Sequence, residues 1–332
     1  MIQRRLGRDG PPVGAIGLGC MGLSEFYEPV TERDAIATIH RALECGMTML
    51  DTSDMYGRGE NERLVGRALR GRHEQAFVAT KGGLLRRDDD PDWRGRDGSP
   101  EYLQRACDAS LQRLGLDVID LYYLHRVDPK VPIEESVGAM AELVAAGKVR
   151  YLGLSETTAD ELARAAAVAA VAALQSEYSL FTRDIESNGV LQATRALGTA
   201  LVAYAPLGRG MLAGTFPSSA ELGEGDVRRR VPRFDPENHA SNAALVAVLS
   251  ESAVRVQQTA AQLALAWIVD RCDNVIALPG CTRPSQVEEN STALDVGLGP
   301  PMLAAIERSF SPGAAAGARF SDLPQAQSRE IG

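Results

Sequence analysis

The chain has 332 residues, more than the ~250 of a typical single α/β barrel and enough for two ordinary domains. Hydrophobic residues make up 45% of it and charged residues 24%, which is typical of a folded globular protein and argues against a disordered one. The net charge of −9 argues against nucleic acid or an anionic membrane as a partner, so an anionic ligand would need a local basic patch.

The first residues carry no apolar stretch typical of a secretory signal, and no run approaches the ~18 apolar residues of a membrane-spanning helix. We therefore expect a soluble, cytoplasmic protein. The cysteines are odd in number and show no Cys-x-x-Cys spacing, which predicts reduced thiols and no metal site. They are Cys20, Cys45, Cys107, Cys272 and Cys281. The sequence leaves the oligomeric state open, a homo-oligomer included.

In chain order, the first predicted element is a β-hairpin over residues 3–13, with its turn at Asp9-Gly10. After it, short apolar runs rich in β-branched and aromatic residues alternate with longer amphipathic segments. We interpret the apolar runs as eight buried strands, at residues 15–19, 48–50, 76–79, 118–124, 150–154, 171–174, 200–203 and 275–278.

The segments between these strands carry the end signals of helices. Thr31 precedes Asp34 by three residues, as in a capping box, and Gly46 ends the same apolar pattern. Ser99 precedes Pro100 at the start of another helix. Single helices between strands indicate βαβ units and a parallel sheet.

Eight parallel strands are the number that closes a barrel, so the predicted fold is an α/β, (β/α)8 TIM barrel whose bottom is plugged by the hairpin. Two segments do not fit this pattern. Residues 208–241 are long, charged and rich in Gly and Pro, which predicts a loop over one face. The tail, residues 311–332, is expected to wrap the surface or to be mobile. No linker separates domains, so we expect one domain over residues 1–332.

Polar residues follow most of the predicted strands at their carboxyl ends, where the loops of such a barrel converge. Each alone has an ordinary explanation, since an Asp caps helices, a Lys is solvated and a His is often structural. Several of them on neighbouring strand ends instead indicate an active site. In chain order they are Asp51 with Tyr56, Lys81, His125, Ser155, Gln175 and Tyr204.

Together with their neighbours, these residues resemble the signatures of the aldo-keto reductase superfamily. The resemblance covers residues 4–310 and is carried by Leu50-Asp51-Thr52-Ser53-Asp54-Met55-Tyr56-Gly57, Ala79-Thr80-Lys81, Leu121-Tyr122-Tyr123-Leu124-His125, Gly153-Leu154-Ser155, Gln175-Ser176-Glu177-Tyr178, Tyr204-Ala205-Pro206-Leu207-Gly208-Arg209-Gly210 and Glu288-Glu289-Asn290. Two further runs are most similar to the bacterial and plant branch of broad aldehyde and ketone reductases, namely Gly19-Cys20-Met21-Gly22-Leu23-Ser24 and Pro232-Arg233-Phe234.

Reduction of a carbonyl group needs a proton at its oxygen, and a tyrosine with its ordinary pKa near ~10 is a weak acid at pH 7. We therefore predict that Tyr56 is the proton donor and that Lys81 lowers its pKa. Asp51 would pair with Lys81 and keep it charged. His125, neutral in the pocket, would donate a hydrogen bond to the substrate oxygen. The resemblance implies the same four catalytic residues.

A hydride donor is also needed, which implies a nicotinamide, and we do not expect a Rossmann site. By resemblance, the cofactor is NADPH, Tyr204 stacks on its nicotinamide, and Ser155 and Gln175 hold its carboxamide. The loop after Tyr204 would wrap the pyrophosphate, with Arg209 as a charge partner, and residues 280–290 would hold the adenosine. The predicted cofactor residues are Gly19, Cys20, Met21, Asp51, Ser155, Gln175, Tyr204, Ala205, Pro206, Leu207, Gly208, Arg209, Gly210, Leu212, Pro279, Gly280, Cys281, Arg283, Gln286, Glu289 and Asn290.

Two positions depart from the family pattern. Glu156 stands where many relatives have Asn after the Ser of the fifth strand. Gln286 stands where an Arg is common, which leaves Arg283 to hold the 2′-phosphate. We therefore expect a weak preference for NADPH, with NADH also usable.

A small carbonyl compound is the expected substrate, and loop composition does not identify it. Its pocket would be lined by Phe26, Tyr27, Met55, Leu84, Trp93 and His125. The Arg228-Arg229-Arg230 run could attract an acidic substrate, although a solvated charge run is the favoured interpretation.

Other functions compete with a general reductase. One alternative is a specialised biosynthetic reductase of a keto-sugar, a polyketide or an alkaloid-like aldehyde. Another is a cofactor-sensing subunit, since the family resemblance extends to potassium-channel β subunits. A metal-dependent hydrolase is disfavoured because the four histidines form no ligand cluster.

Overall fold

The computed structural model describes residues 1–87, 89–90, 93–214, 217–271 and 273–319. Its strands are β1 (Gln3–Arg5), β2 (Pro12–Gly14), β3 (Leu18–Gly19), β4 (Met49–Asp51), β5 (Phe77–Gly82), β6 (Leu84–Arg86), β7 (Arg94–Arg96), β8 (Ile119–Leu124), β9 (Val149–Ser155), β10 (Val171–Glu177), β11 (Ala200–Tyr204) and β12 (Val275–Leu278). Eight of them form one parallel sheet in the order β12-β11-β10-β9-β8-β5-β4-β3.

The two edges of this sheet meet, because Gly17 donates to the Ala277 carbonyl and Gly19 to the Pro279 carbonyl, both at 2.9 Å. The predicted eight-stranded α/β barrel is confirmed. Its outer helices are α1 (Glu32–Glu44), α2 (Glu60–Ala68), α3 (Pro100–Leu114), α4 (Ile133–Ala145), α5 (Ala159–Val168), α6 (Val190–Leu197), α7 (Pro236–Arg255), α8 (Ala260–Arg271), α9 (Pro284–Ser291) and α10 (Pro300–Ser309). The predicted caps form, since Thr31 accepts from the backbone of Asp34 at the start of α1 and Ser99 caps α3.

Alternate residues of the strands fill the inside of the barrel. On β8, Leu121 and Tyr123 pack into this inner cluster, whereas Tyr122 and Leu124 belong to the larger core between the sheet and the helices. Gly153 on β9 makes room for the Tyr123 ring, since a Cβ at this position would lie 2.4 Å from it. This alternation fixes which polar side chains enter the barrel where its apolar filling ends.

The N-terminal hairpin closes the bottom of the barrel, as predicted. Its strands β1 and β2 pair antiparallel, and Leu6 and Val13 are buried in the inner cluster of the barrel. Gly7 lies against the start of β10, where a Cβ would be 2.7 Å from the Ala172 carbonyl oxygen, and its φ of +71° also favours glycine. The opposite end, at the carboxyl ends of the strands, is left for a site.

Residues 208–241 are not one continuous loop, contrary to the prediction. Helix α7 begins within them at Pro236, because Pro fits the first helical turn, where its missing N–H costs nothing. The remainder contains short 3-10 helices at Gly208–Ala213, Ser219–Glu221, Val227–Arg230 and Pro232–Phe234. A second hairpin, β6–β7, was not predicted and stands after β5, with Leu84 opposite Arg96.

The first part of the predicted tail, residues 311–319, packs back onto the barrel. The Asn242 side chain donates to the Ala316 carbonyl at 3.0 Å and accepts from its N–H at 2.9 Å. Arg319 forms an ion pair with Glu156 at 2.9 Å. The rest of the tail, residues 320–332, lies outside the described residues, and so does Cys272. The other four cysteines are free. Within the described ranges, no helix is long and apolar enough to cross a membrane.

Candidate active site

Five of the predicted polar residues lie two positions beyond an inward-facing core residue. Because side chains of a strand alternate between its two faces, all five enter the same end of the barrel. The pairs of core and polar residues are Met49 and Asp51, Ala79 and Lys81, Tyr123 and His125, Ala173 and Gln175, and Val202 and Tyr204. We call this end of the barrel the mouth.

Lys81 and Asp51 form a buried ion pair at the centre of the mouth. The Lys81 ammonium donates to Asp51 Oδ1 and, at 2.8 Å, to the Thr52 carbonyl. Gln175 donates to the second Asp51 oxygen at 2.8 Å. Burial lowers the pKa of Lys81, but the charge and the hydrogen bond of Asp51 oppose that effect. The net shift of the pKa is upward, so the ammonium stays charged.

Tyr56 stands at the start of a short 3-10 segment, Tyr56–Gly59, that follows β4. The Lys81 Nζ lies 5.1 Å from its ring centroid, and the His125 ring meets it edge-on with 5.9 Å between centroids. Burial raises the pKa of Tyr56, and the charge of Lys81 opposes this rise without cancelling it. Lys81 therefore lowers the pKa of Tyr56, as predicted, although burial raises it by more. Tyr56 is a neutral phenol that retains its proton at physiological pH.

His125 is the fourth member of the cluster and is also buried. Burial, followed by the charges of Arg126 and Lys81, lowers its pKa well below the ordinary value, so the imidazole is neutral at physiological pH. Its Nδ1 lies 3.1 Å from the Ser53 hydroxyl oxygen. If Ser53 donates to Nδ1, the ring carries its proton on Nε2 and can donate from there.

Replacing Ser53 by alanine tests this arrangement. We expect kcat for carbonyl reduction to fall about fivefold, because one neutral hydrogen bond of about 1 kcal/mol no longer fixes the imidazole tautomer and orientation. KM should change less than kcat, since Ser53 is itself buried below the pocket. Steady-state kinetics measure both constants, and urea unfolding checks that stability is retained. An unchanged kcat would show that Ser53 does not position His125.

Ser155, Gln175 and Tyr204 lie beside this cluster on three consecutive strands. Ser155 and Gln175 face each other across β9 and β10. The Gln175 amide nitrogen is used by Asp51, which leaves its oxygen available as an acceptor. The Tyr204 hydroxyl is buried and, among the described residues, has no hydrogen-bond partner. Two amide-binding groups beside an aromatic ring fit the predicted nicotinamide site.

Backbone in the left-handed region at residues other than glycine concentrates at the mouth. Such a conformation costs on the order of 1–3 kcal/mol and is typical of functional sites. The residues concerned include Phe26, Arg58, Glu156, Ala205 and Arg209. The loop that follows Tyr204 has positive φ at three consecutive residues, Gly208, Arg209 and Gly210, with φ of 57°, 56° and 99°. This is the loop predicted to wrap the pyrophosphate, and it includes Pro206, Leu207 and Leu212.

Arg209 is engaged in an ion pair within the protein. Its guanidinium lies 3.0 Å from Glu177, a carboxylate with no exposed surface, and Arg233 approaches the same carboxylate at 3.6 Å. These contacts tie the 208–213 turn to the end of β10. Its predicted role as a charge partner of the pyrophosphate stays a prediction.

The predicted adenosine site lies at the barrel seam, where Gly19 and Gly280 pair side by side and Cys20 and Cys281 follow them. Met21 and Pro279 flank this seam in sequence. Burial raises the pKa of Cys20 and Cys281, so neither is a reactive thiolate.

At the start of α9, the Arg283 side chain is exposed. Gln286 is occupied, because its side-chain oxygen accepts from the Thr282 N–H at 2.8 Å, and Asn290 donates to Cys281 Sγ at 3.3 Å. Glu289 is half-buried beside them. Gln286 and Asn290 therefore hold the segment in shape, and Arg283 is the predicted phosphate ligand that is open to solvent.

Of the predicted substrate residues, Phe26 and Met55 lie nearest the cluster. The Phe26 ring meets the Tyr56 ring edge-on at 6.2 Å, and Met55 directly precedes Tyr56 and is buried. Leu84 stands on the unpredicted hairpin, and the Trp93 ring stacks with Arg87 at 4.2 Å.

Tyr27 lies against the Arg228 guanidinium at 5.3 Å. Arg228 itself pairs with the buried Asp226 at 2.6 Å. The interpretation of Arg228-Arg229-Arg230 as a wholly solvated run is therefore wrong for its first member, which packs inward because an acidic partner is buried nearby.

Sequence reasoning missed three features of the mouth. Ser53 stands inside the first signature but was given no role, and Arg126 was overlooked although it directly follows His125. The third feature is the ion pair of Glu156 with Arg319. These residues are 163 positions apart, so no local sequence pattern predicts their contact. Glu156 is the position that departs from the family pattern, and that departure was the available signal.

The carboxyl ends of the barrel strands carry a buried Lys–Asp pair, a neutral tyrosine and a neutral histidine. This arrangement is the one predicted for a (β/α)8-barrel oxidoreductase. Known proteins of one family match most of the chain. The family model described as the aldo/keto reductase family matches residues 15–309. The chain belongs to the aldo/keto reductase family, which confirms the predicted resemblance.

Individual relatives agree with this assignment. The aldo-keto reductase yakc [NADP(+)] of Schizosaccharomyces pombe is 41% identical over 321 residues, which cover 96% of this chain and 94% of that protein. The structure of the glycerol dehydrogenase AKR11B4 from Gluconobacter oxydans matches with a TM-score of 0.84 and 29% identity, over 93% of this chain and 95% of that one. The structure of an aldo-keto reductase from Klebsiella pneumoniae in complex with NADPH matches with a TM-score of 0.74 and 26% identity. The match covers 97% of this chain and 100% of that one.

Proposed function

We propose that the protein reduces aldehydes and ketones to alcohols with NADPH, as a carbonyl reductase acting on the CH–OH group of its product. The observation that carries this proposal is the Tyr56 phenol, which keeps its proton while it lies between the buried Lys81 ammonium and the neutral His125 ring. A proton donor held beside a fixed cation suits a reaction in which an alkoxide forms and is protonated.

NADPH is the cofactor that the relatives and the residues of this chain both support. The yeast relative carries NADP(+) in its name, and the Klebsiella structure contains NADPH. In this chain, Ser155 and the Gln175 oxygen would hold the carboxamide, and the Tyr204 ring would cover the nicotinamide. When bound, NADPH supplies the hydride that reaches the carbonyl carbon.

The side chains of the mouth position the carbonyl group and supply the proton. His125 donates a hydrogen bond from Nε2 to the carbonyl oxygen and sets its position. Tyr56 transfers its proton to that oxygen as negative charge develops there. Lys81 stabilises the phenolate left behind, and Asp51 keeps Lys81 charged and in place.

Absorbance at 340 nm tests the proposal, with purified protein, NADPH and 4-nitrobenzaldehyde. We expect absorbance to fall at a rate proportional to protein concentration. Quenching of protein fluorescence by NADPH without any turnover of this or other aldehydes would instead indicate a cofactor-sensing protein. The absence of both NADPH binding and turnover would contradict the proposal entirely.

Arg283 is expected to set the preference for NADPH. Replacing it by alanine should raise the KM for NADPH about tenfold, the effect of losing one charge-assisted hydrogen bond at an exposed site, and should leave the KM for NADH nearly unchanged. Arg105→Ala, which removes an exposed arginine on α3, is the control. Equal KM values of the wild type for NADPH and NADH would contradict the preference.

A further inference from the structure

Two arginines at the mouth have no carboxylate partner. Arg126 directly follows His125, and Arg96 is the last residue of β7 on the second hairpin. Neither forms an ion pair with any residue that the structure describes. Both are half-buried, where an unpaired charge is costly. Two half-buried guanidinium groups without carboxylate partners favour the binding of an anionic ligand.

Other arginines of similar burial are paired. Arg228 lies 2.6 Å from Asp226, and Arg209 lies 3.0 Å from Glu177. In this protein, half-buried arginines that stabilise the fold therefore have carboxylate partners. Its absence at Arg126 and Arg96 therefore needs another explanation.

The hydrogen bonds of Arg126 leave one edge of its guanidinium unused. Nη1 donates to the His125 carbonyl at 2.6 Å and to the Ser155 hydroxyl at 3.0 Å. In the described part of the chain, Nε and Nη2 make no hydrogen bond. Nε and Nη2 together form the fork that binds a carboxylate or a phosphate through two parallel hydrogen bonds.

Arg126 lies among the side chains that surround the reacting group. Its Nη1 contacts the Ser155 hydroxyl, which faces Gln175, and its charge also acts on the pKa of Tyr56, His125 and Tyr204. A substrate whose carbonyl oxygen meets Tyr56 and His125 therefore has its remaining atoms close to this cation.

Arg96 adds a second positive charge behind Arg126. Its Nη1 donates to the Val127 carbonyl at 2.9 Å, which fixes the hairpin against the loop after β8. Burial and the neighbouring charge of Arg126 lower the pKa of Arg96, and the carboxylates of Asp128 and Glu161 oppose this from beyond ion-pair distance. The mutual repulsion of the two arginines would be relieved by an anion bound between or beside them.

We propose that Arg126, supported by Arg96, binds an oxyanion group of the substrate, a carboxylate or a phosphate, so that acidic carbonyl compounds are the preferred substrate class. The proposal rests on the proposed reductase function and adds a specificity determinant to it. It also supplies the local basic patch that an anionic ligand needs on a chain with net charge −9.

Matched pairs of substrates test the proposal. One pair is 4-carboxybenzaldehyde and its methyl ester, and the other is glyceraldehyde 3-phosphate and glyceraldehyde, so the two pairs separate carboxylate from phosphate recognition. We expect wild-type kcat/KM to be about tenfold or more higher for the acidic member of at least one pair, the range of a charge-assisted hydrogen bond. Arg126→Gln should bring that ratio close to one, Arg126→Lys should keep part of it, and Arg96→Gln should lower it less.

Arg105→Gln, which removes an exposed arginine on α3, should leave the ratio unchanged and serves as the control for net charge. The Kd for NADPH, measured by fluorescence quenching, separates the proposal from a role of Arg126 in orienting Ser155. If Arg126→Gln weakens NADPH binding and lowers kcat/KM equally for both members of a pair, the anchor proposal is overturned. Reduction of the neutral compounds without an acid preference in the wild type overturns this proposal alone, whereas no reduction of any compound overturns the reductase function as well.

Discussion

Replacement of Tyr56 by phenylalanine is expected to lower kcat by about 10²- to 10⁴-fold, the usual contribution of a positioned general acid. The reason is geometric as well as chemical. The phenylalanine ring fills the same space between Phe26 and His125, so only the proton donor is lost. The Kd for NADPH should stay within about twofold of the wild type, because the proposed nicotinamide contacts come from Ser155 and Gln175.

Single-turnover reduction and fluorescence titration with NADPH measure the two quantities separately. Tyr151→Phe is the matched control, since this tyrosine stands nearer the start of β9 and packs against Phe77 at 6.3 Å between ring centroids. It should retain wild-type kcat. Full activity of Tyr56→Phe would remove Tyr56 from the mechanism and with it the assignment of the acid.

Breaking the Asp51–Lys81 pair is expected to have the largest effect on stability. Asp51→Asn should lower the free energy of unfolding by about 3–5 kcal/mol, because it leaves the fully buried Lys81 ammonium without a counter-charge. It should also abolish turnover, since Lys81 would no longer be held charged against Tyr56. Urea unfolding followed by tryptophan fluorescence measures the stability, and the same samples give the rate.

A double-variant cycle separates the two roles of this pair. Lys81→Met alone should destabilise the protein by a similar amount, because it leaves the Asp51 carboxylate buried and unpaired. Combining Asp51→Asn with Lys81→Met should recover most of the stability while activity stays lost. Equal stability of the wild type and both single variants would mean that the pair is hydrated and contributes nothing to folding.

Much of the fold could be predicted because the pattern that specifies a buried parallel strand is local. Short apolar runs located all eight barrel strands, and the Asp9-Gly10 turn located the plug. The catalytic candidates followed from the same runs. A polar residue at the carboxyl end of a strand keeps the inward direction set by the alternation of side chains before it, as Ala79 and Lys81 show.

What could not be predicted depends on contacts between distant parts of the chain. The pair of Glu156 with Arg319 and the placement of Arg126 against Ser155 exist only once the strands are side by side. The shift in the pKa of Tyr56 depends on a balance between burial and the charge of Lys81, and the sequence gives no measure of burial at that position. The end of the predicted 208–241 loop was missed because Asp235-Pro236 starts a helix within a segment rich in turn residues.

The most direct test of the central claim is transfer of the hydride itself. NADPH deuterated at C4 of the nicotinamide, prepared as each of its two epimers, is incubated with the protein and 4-nitrobenzaldehyde, and the alcohol is analysed by mass spectrometry. We expect one deuterium at the carbinol carbon from one epimer only, in an amount equal to the NADPH consumed. Two results would contradict direct hydride transfer. One is an alcohol that contains no deuterium with either epimer, and the other is oxidation of NADPH without formation of the alcohol.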